Sequence, residues 1–309
     1  MRKLSIVVLI MSFFTGYSQT EEYDFPEGQV SILGIFKSSG EEKELLSKNG
    51  HQILPQKGDW SLGINASSLL QYVGNAANGE TFNSSPFFSV VNKSLPTATI
   101  WGKYFVADDL AWRGGLDLFA RADRDRFRID DDASTNPDDV LFDIRDIEQY
   151  GATLSLGLEK RKGKSRVQGV YGVDVFLHYT SNNTTKIQYG NQISSSNQEP
   201  TGTNFGNPAG ITAPALGFRV VEANLGDRFE GGIRGFAGVE YFIAPKISLG
   251  GEFYWGVSYD IVGETSTTYE GYEGLSDSVL ESSTFTKGGR TLEVGLNNTA
   301  ATLNLFFYF

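Results

Sequence analysis

Eight stretches of the chain alternate apolar and polar residues with a period of two, at about 58–73, 97–107, 110–122, 150–160, 166–179, 229–243, 246–260 and 290–309. That period predicts strands whose two faces meet different surroundings. In 166–179 one face carries Val167, Gly169, Tyr171, Val173, Val175, Leu177 and Tyr179, and the other carries Gln168, Gly172, Asp174, Phe176 and His178. Charge keeps to one face throughout: Lys103, Arg113, Asp117, Arg121, Glu159, Asp174, Arg234, Glu240, Glu252 and Asp260 all take the polar parity. Strict alternation leaves Glu293 as the main exception on the apolar face.

A soluble sandwich also alternates, so the connections decide. Those after the first, third, fifth and seventh segments run about 23, 27, 49 and 29 residues, while the intervening ones run two to five. An even number of antiparallel strands, with short turns at one end and long loops at the other, predicts an all-β transmembrane barrel. We expect eight strands, with short periplasmic turns and long extracellular loops; Gly217–Ala223 would either extend the sixth strand or add another, giving up to ten. The interior of an eight-stranded barrel is just wide enough for its own side chains. The ten polar-face charges are therefore expected to pair in the lumen, since buried charge persists only when paired. Trp60, Tyr104, Trp112, Tyr241, Trp255, Tyr259 and the terminal Phe309 are expected at the membrane interfaces.

The N-terminus supplies an address. Arg2 and Lys3 precede an apolar run of eleven residues, Leu4–Phe14, with Gly16 and Ser18 as small residues before Gln19. This is the pattern of a cleaved signal peptide, residues 1–18. Residues 19–57 then form a pre-barrel segment, expected in the periplasm as a plug or docking element with a short helix near Glu41–Ser47, and 58–309 form the barrel. There is no cysteine, so no disulfide contributes. Removing residues 1–18 moves the formal charge from −11 to −13, which argues against nucleic acid as a partner. With 36 Gly, 22 Phe and 14 Tyr, the composition is rich in glycine and aromatics for a soluble enzyme.

The signal peptide, "KYFVADDLAWRGG" at 103–115, "GDWSLGINA" at 58–66 and the terminal "NLFFYF" together resemble small outer-membrane β-barrel proteins of the Bacteroidota, within the broad OmpA/OmpX-like class. The resemblance covers about 58–309. It implies residence in the outer membrane of a Gram-negative bacterium, contact with outer-membrane lipids and lipopolysaccharide, and recognition of the last strand by the barrel-assembly machinery. It implies no activity. The chain departs from the larger members in ending on the last strand, and from a minimal barrel in carrying residues 19–57.

Candidate chemistry is sparse. His51 lies before the barrel, and His178 has Ser181, Asp174 and Asp260 as conceivable companions for a lipid-modifying site. A solvated polar residue is the simpler reading. The stretch 122–148 holds ten acidic and four basic side chains and reads as a solvated acidic loop. Within it Asp130, Asp132, Asp138 and Asp139 form a divalent-cation candidate. Thr135 and Leu141 stand where a calcium loop needs Gly and Glu, which argues against an EF-hand. Residues 180–228 read as a mobile Ser/Asn/Gly-rich surface loop. No zinc spacing or phosphate-binding loop suggests a cofactor. The leading expectation is a non-enzymatic barrel with a structural, envelope or surface-interaction role, with an unidentified periplasmic or surface protein as a further partner. A small porin is the alternative, and a lipid-modifying enzyme the third.

Overall fold

Alternation becomes a closed ring in the computed structural model, which describes residues 45–66, 100–206 and 217–309. Among these, the strands are β1 (Trp60–Asn65), β2 (Ile100–Ala107), β3 (Leu110–Asp130), β4 (Val140–Lys162), β5 (Val167–Gln188), β6 (Arg219–Asn224), β7 (Asp227–Ala244), β8 (Ile247–Val262), β9 (Thr265–Glu273), β10 (Ser278–Thr286) and β11 (Arg290–Tyr308). Eight of them close antiparallel in the order β1-β2-β3-β4-β5-β7-β8-β11 and back to β1. The proposed signal peptide and residues 19–44 lie outside the described residues, as do the upper half of the first expected strand and the start of the second.

The ring is staggered. Starting at Trp60, directly opposite partners run through Tyr104, Trp112, Leu158, Val173, Gly235 and Trp255 to Thr299 on β11. Trp60 itself exchanges backbone hydrogen bonds with Phe309, ten residues further along that same strand. A stagger of this kind tilts the strands by about 40° from the barrel axis.

Parity sorts the side chains as period two requires. Trp101, Lys103 and Phe105 of β2 are buried inward, while Ile100 and Tyr104 are about half exposed outward. No outward position of the described ring strands carries a charge between Lys160 and Lys162 at the short-turn end and Arg124, Asp146, Glu148 and Asp227 at the other. Glu293 is a correction. The register of β11 on β8 shifts between Gly295 and Thr299, which flips parity, and Glu293 sits opposite the inward Ser258. Leu292 and Val294 take the outward face instead, 64% and 68% exposed.

Glycine makes room for the filling. Gly172 stands directly opposite Phe236, Gly232 opposite Phe176, Gly256 opposite Arg234, Gly238 opposite Glu252 and Gly250 opposite Glu240. A Cβ on Gly172 would lie 2.0 Å from the Leu158 carbonyl oxygen and 2.6 Å from the Phe236 ring. Each large inward side chain thus lies across a cross-strand neighbour that has none.

β3, β4 and β5 run 21, 23 and 22 residues, about twice what a tilted strand needs to cross a membrane. Their far ends rise past the ring. There β5 leaves β7 after Ser181↔Asp227 and pairs with β6, which pairs with β9 and then β10. Gly217–Ala223 therefore belongs to a separate strand outside the ring, and the ring count stays at eight. The stretch 122–148 is also not a loop: pairing of β3 with β4 continues to Asp130↔Val140 and leaves only a short turn. At the other end, the described part of the expected helix, 45–47, is not helical; Leu46 bridges Gln52.

The glycine pairing gives a test. Gly172→Val should lower the unfolding free energy by about 1–3 kcal/mol through overpacking, measured as a shift in the urea midpoint of the folded, heat-modifiable gel band. Gly102→Ala, whose new Cβ would meet its nearest atom at 3.7 Å, should leave the midpoint unchanged.

Candidate functional site

The lumen is filled from the short-turn end upward. Ile53 and Leu54, preceding β1, join Phe105, Phe242, Phe306 and Tyr308 in the apolar floor. The Gly58 N–H donates to the Phe105 carbonyl at 2.8 Å, the Lys246 N–H donates to the Ile53 carbonyl at 3.3 Å, and Lys246 pairs with Asp59. These bonds fix residues 53–59 to the β2–β3 and β7–β8 turns.

Above the floor lies a buried ionic network. Lys103 and Arg113 stand directly opposite each other on β2 and β3, an arrangement that repels unless something lies between them. Glu159 of β4 does so: it is 2.8 Å from Lys103, 3.4 Å from Arg113 and 3.0 Å from Arg161. Glu240 of β7 takes the remaining reach of Lys103 at 3.3 Å and of Arg161 at 2.6 Å. Glu252 of β8 holds Arg113 at 2.9 Å and accepts a hydrogen bond from the Tyr254 hydroxyl. Arg161 also donates to the Tyr308 hydroxyl at 2.6 Å, and that hydroxyl donates to Glu240, as does Ser248. The side chains of this network are 0–2% exposed.

One storey higher, Arg234 meets Asp174 directly across β7 and β5 at 2.5 Å and donates to Ser155 at 2.9 Å. Four cations, Lys103, Arg113, Arg161 and Arg234, thereby face four carboxylates, Glu159, Glu240, Glu252 and Asp174. Aromatic faces fill the gaps: the Arg113 guanidinium lies 4.3 Å from the Trp101 ring centre and 4.0 Å from that of Phe236. Such stacking favours a planar, weakly hydrated cation away from water. Because the members come from β2, β3, β4, β7, β8 and β11, the network forms only when the ring is closed.

Near the mouth, Arg228 pairs with Asp260 at 2.9 Å and with Glu230 at 3.4 Å. His178 is opposite Thr153 and Glu230, and its two ring nitrogens contact the Thr153 and Thr180 hydroxyls at 2.8 and 2.7 Å. Both nitrogens are thus engaged by threonines rather than by the serine and carboxylates considered from the sequence. Asp117 keeps inward parity and is partly buried.

Sequence reasoning misplaced some members and missed others. Arg121 keeps inward parity but its side chain is 71% exposed and pairs with Asp123, because β3 has by then risen above the described pairing with β2. Arg161, Glu230 and Tyr308 belong to the filling and were overlooked. Arg161 fell in what read as a turn, although its odd number matches Glu159; Tyr308 read only as part of an apolar last strand. Among the interface aromatics, Phe309, Trp60, Tyr104 and Trp112 stand side by side on four adjacent strands, 47–58% exposed, with Trp60 stacked on Phe309 at 4.4 Å. Tyr241, Trp255 and Tyr259 also point outward, 39–47% exposed; Trp255 lies over Gly235 at mid-strand rather than at a rim.

The tall wall is ordered by pairing across strands. Arg124 holds Asp146 directly opposite with two bonds of 2.6 and 2.8 Å, and Arg145 holds Asp125 at 2.6 Å. On the wall's lumen-side face, Ile187, Val220, Ala223 and Tyr269 form a second apolar cluster with Tyr189, Phe205 and Phe218. Residues 189–206, expected as a mobile loop, are pinned there. Asp143 accepts from the Gly190 and Thr203 N–H groups at 2.9 and 2.6 Å, and Asp132 accepts from the Asn197 amide and the Thr201 N–H at 2.8 and 2.7 Å. The cation candidate is likewise consumed by the fold: Asp139 accepts from Ser134 and Asn136, Asp130 gives its carbonyl to Asn191, and Asp138 donates its N–H to Asn136. Among the described residues no group of three or more His, Cys, Asp or Glu side chains is placed to hold a metal.

The fold and its filled interior define a transmembrane-type antiparallel β-barrel. No family model matches the chain, and no curated protein does. Among solved structures it is similar to the outer membrane protein OprG from Pseudomonas aeruginosa, at 13% identity and a TM-score of 0.30, over 83% of this chain and 98% of that one.

Two outcomes are expected. Glu159→Gln leaves three buried cations sharing two carboxylates and should cost about 3–5 kcal/mol, with part recovered by adding Lys103→Met; urea titration of the folded fraction reads both, and strict additivity would refute the coupling. The Asn197 and Thr201 hydrogen bonds hold the Asp132 carboxyl below the ordinary carboxylate range. Its clamp on 197–201 is therefore fully present above pH about 4 and is lost as pH falls through the lowered value. Hydrogen exchange at the Thr201 N–H should accelerate on that acidification, and Asp132→Ala should make exchange fast throughout.

Proposed function

We propose that the chain is an integral outer-membrane β-barrel protein with a structural or surface-presenting role in the envelope, and that it does not conduct solutes. One combination carries this reading: an outward face free of charge over a membrane's height, around a lumen whose ionic side chains are 0–2% exposed. In hydrocarbon only a structure with every backbone group paired is stable, and a closed ring meets that demand. The signal-peptide pattern of residues 1–18 and the resemblance to small Bacteroidota barrels support the outer membrane as the location. In this reading the short turns and Ile53–Leu54 face the periplasm, and the wall of β3–β6, β9 and β10 stands outside the cell. The last strand, ending in Phe-Phe-Tyr-Phe, is the segment offered to the barrel-assembly machinery. The tall wall, a large ordered surface with no part in closing the ring, is what the barrel presents.

Planar-bilayer recording of the refolded protein should show no nanosiemens-scale steps, and regular steps of that size would overturn the closed-lumen reading. Unboiled protein refolded in detergent should migrate apart from the boiled form on a gel. Identical migration, with release from membranes by carbonate, would remove the barrel from the membrane altogether.

A further inference from the structure

The outward face of β3 continues without a break from hydrocarbon chemistry into cationic chemistry. Below, its outward residues are Leu116, Leu118, Ala120 and Ala122; above, they are Arg124, Arg126 and Arg128, all exposed. The β3–β4 pairing has no register shift, so the three arginines share the face of the apolar belt. Arg124 is committed to Asp146. Arg126 and Arg128 instead stand directly opposite Ile144 and Phe142, the latter 51% exposed. Their stems lie beside apolar side chains and their guanidinium groups point to a layer immediately above the belt.

Height selects what that layer holds. At a tilt of about 40° each residue climbs roughly 2.5 Å along the barrel axis. Arg124, Arg126 and Arg128 therefore stand about 5, 10 and 15 Å above Ala122. A glycerophospholipid headgroup is only about 5–7 Å deep and reaches the first of them, already neutralised by Asp146. A sugar-bearing headgroup with phosphates reaches the other two. Planar guanidinium forks suit phosphate oxygens, and the neighbouring Phe142 and Ile144 suit the apolar faces of sugar rings or acyl carbons.

We propose that Arg126 and Arg128, with Phe142 and Ile144 between strands, bind the phosphorylated glycolipid of the leaflet in which the wall stands. This rests on the membrane reading above and names the lipid partner for it. The contact is direct, from arginine to phosphate, and needs no bridging cation. It also assigns the basic side chains of 122–148, rather than its acidic ones, to the lipid.

The test uses the full mature chain folded into phosphatidylcholine nanodiscs doped with bisphosphorylated lipid A, with its dephosphorylated form, or with phosphatidylglycerol, all in EDTA. Native mass spectrometry counts probe molecules retained on the released barrel. Wild type should retain bisphosphorylated lipid A above both other probes. Arg126→Gln and Arg128→Gln should each reduce retention about fivefold, while Arg121→Gln, on the opposite face, should not. Equal retention by wild type and the double variant, or of phosphorylated and dephosphorylated probes, overturns the proposal. Equal retention of phosphatidylglycerol overturns the choice of a glycolipid. Failure of wild type to enter the nanodiscs strikes the membrane reading instead, so the two failures are distinguishable.

Discussion

Closure of β11 onto β1 is the interaction on which the rest depends. Trp60 and Phe309 exchange backbone bonds, and Ser61 to Asn65 continue the pairing along Tyr308 to Asn304. Without that seam the sheet would carry two long edges of unpaired N–H and C=O groups inside an apolar belt, each costing several kcal/mol in hydrocarbon. Closure also imposes the ten-residue stagger. The stagger sets the tilt and width, and the width leaves an interior that water cannot fill but side chains can.

The filling then follows from limited space. A charge placed inward on such a ring has to be neutralised by another inward charge, and the reach between strands has to be clear. Pairing large inward residues with glycine satisfies the second condition: Arg113 lies opposite Gly157, Glu159 opposite Gly172, Arg234 opposite Gly256 and Glu240 opposite Gly250. The 36 glycines are therefore partly a packing requirement, the complement of a lumen crowded with arginine, glutamate and aromatic rings. Tyr308 joins closure to filling, since the penultimate residue of the closing strand hydrogen-bonds Glu240 and Arg161.

The ring strands were legible because each must satisfy two environments at once, and period two records that demand residue by residue. Lys103, Arg113, Glu159, Asp174, Arg234, Glu240 and Glu252 could be placed inside by parity alone. Parity failed where the backbone departs from it: the shift between Gly295 and Thr299 turns Glu293 inward, and no local composition announces a bulge. Arg161 was missed for a related reason, because its strand runs to Lys162 with no apolar alternation at its end. The wall was illegible for a different cause. Beyond the membrane neither face need be continuously apolar, so 122–148 reads as a run of charge until the register puts Arg124 against Asp146 and Asp125 against Arg145. The partners of a charged strand are a property of pairing, and pairing is long-range information.

These two regimes give the acidic chain two kinds of charge. Inside the ring, cations and carboxylates are matched, because an unpaired charge there would prevent closure; that charge is structural and silent toward any partner. Above the ring, water screens each group, an exposed pair contributes at most about 1 kcal/mol, and no such constraint forces balance. Side chains there are free to be arranged for something outside the molecule. A strand that spends residues on both sides of the boundary, as β3 does from Trp112 to Asp130, carries both regimes in one segment. Its outward face passes from Leu118 to Arg128 within ten residues, whereas its inward face has already passed from buried Arg113 to exposed Arg121. The boundary is therefore drawn twice along β3, once by the lipid outside and once by the filling inside, and the two transitions fall within a few residues of each other. A soluble sheet would have no reason to change both faces at one height; a barrel standing in a membrane with a plugged lumen has to.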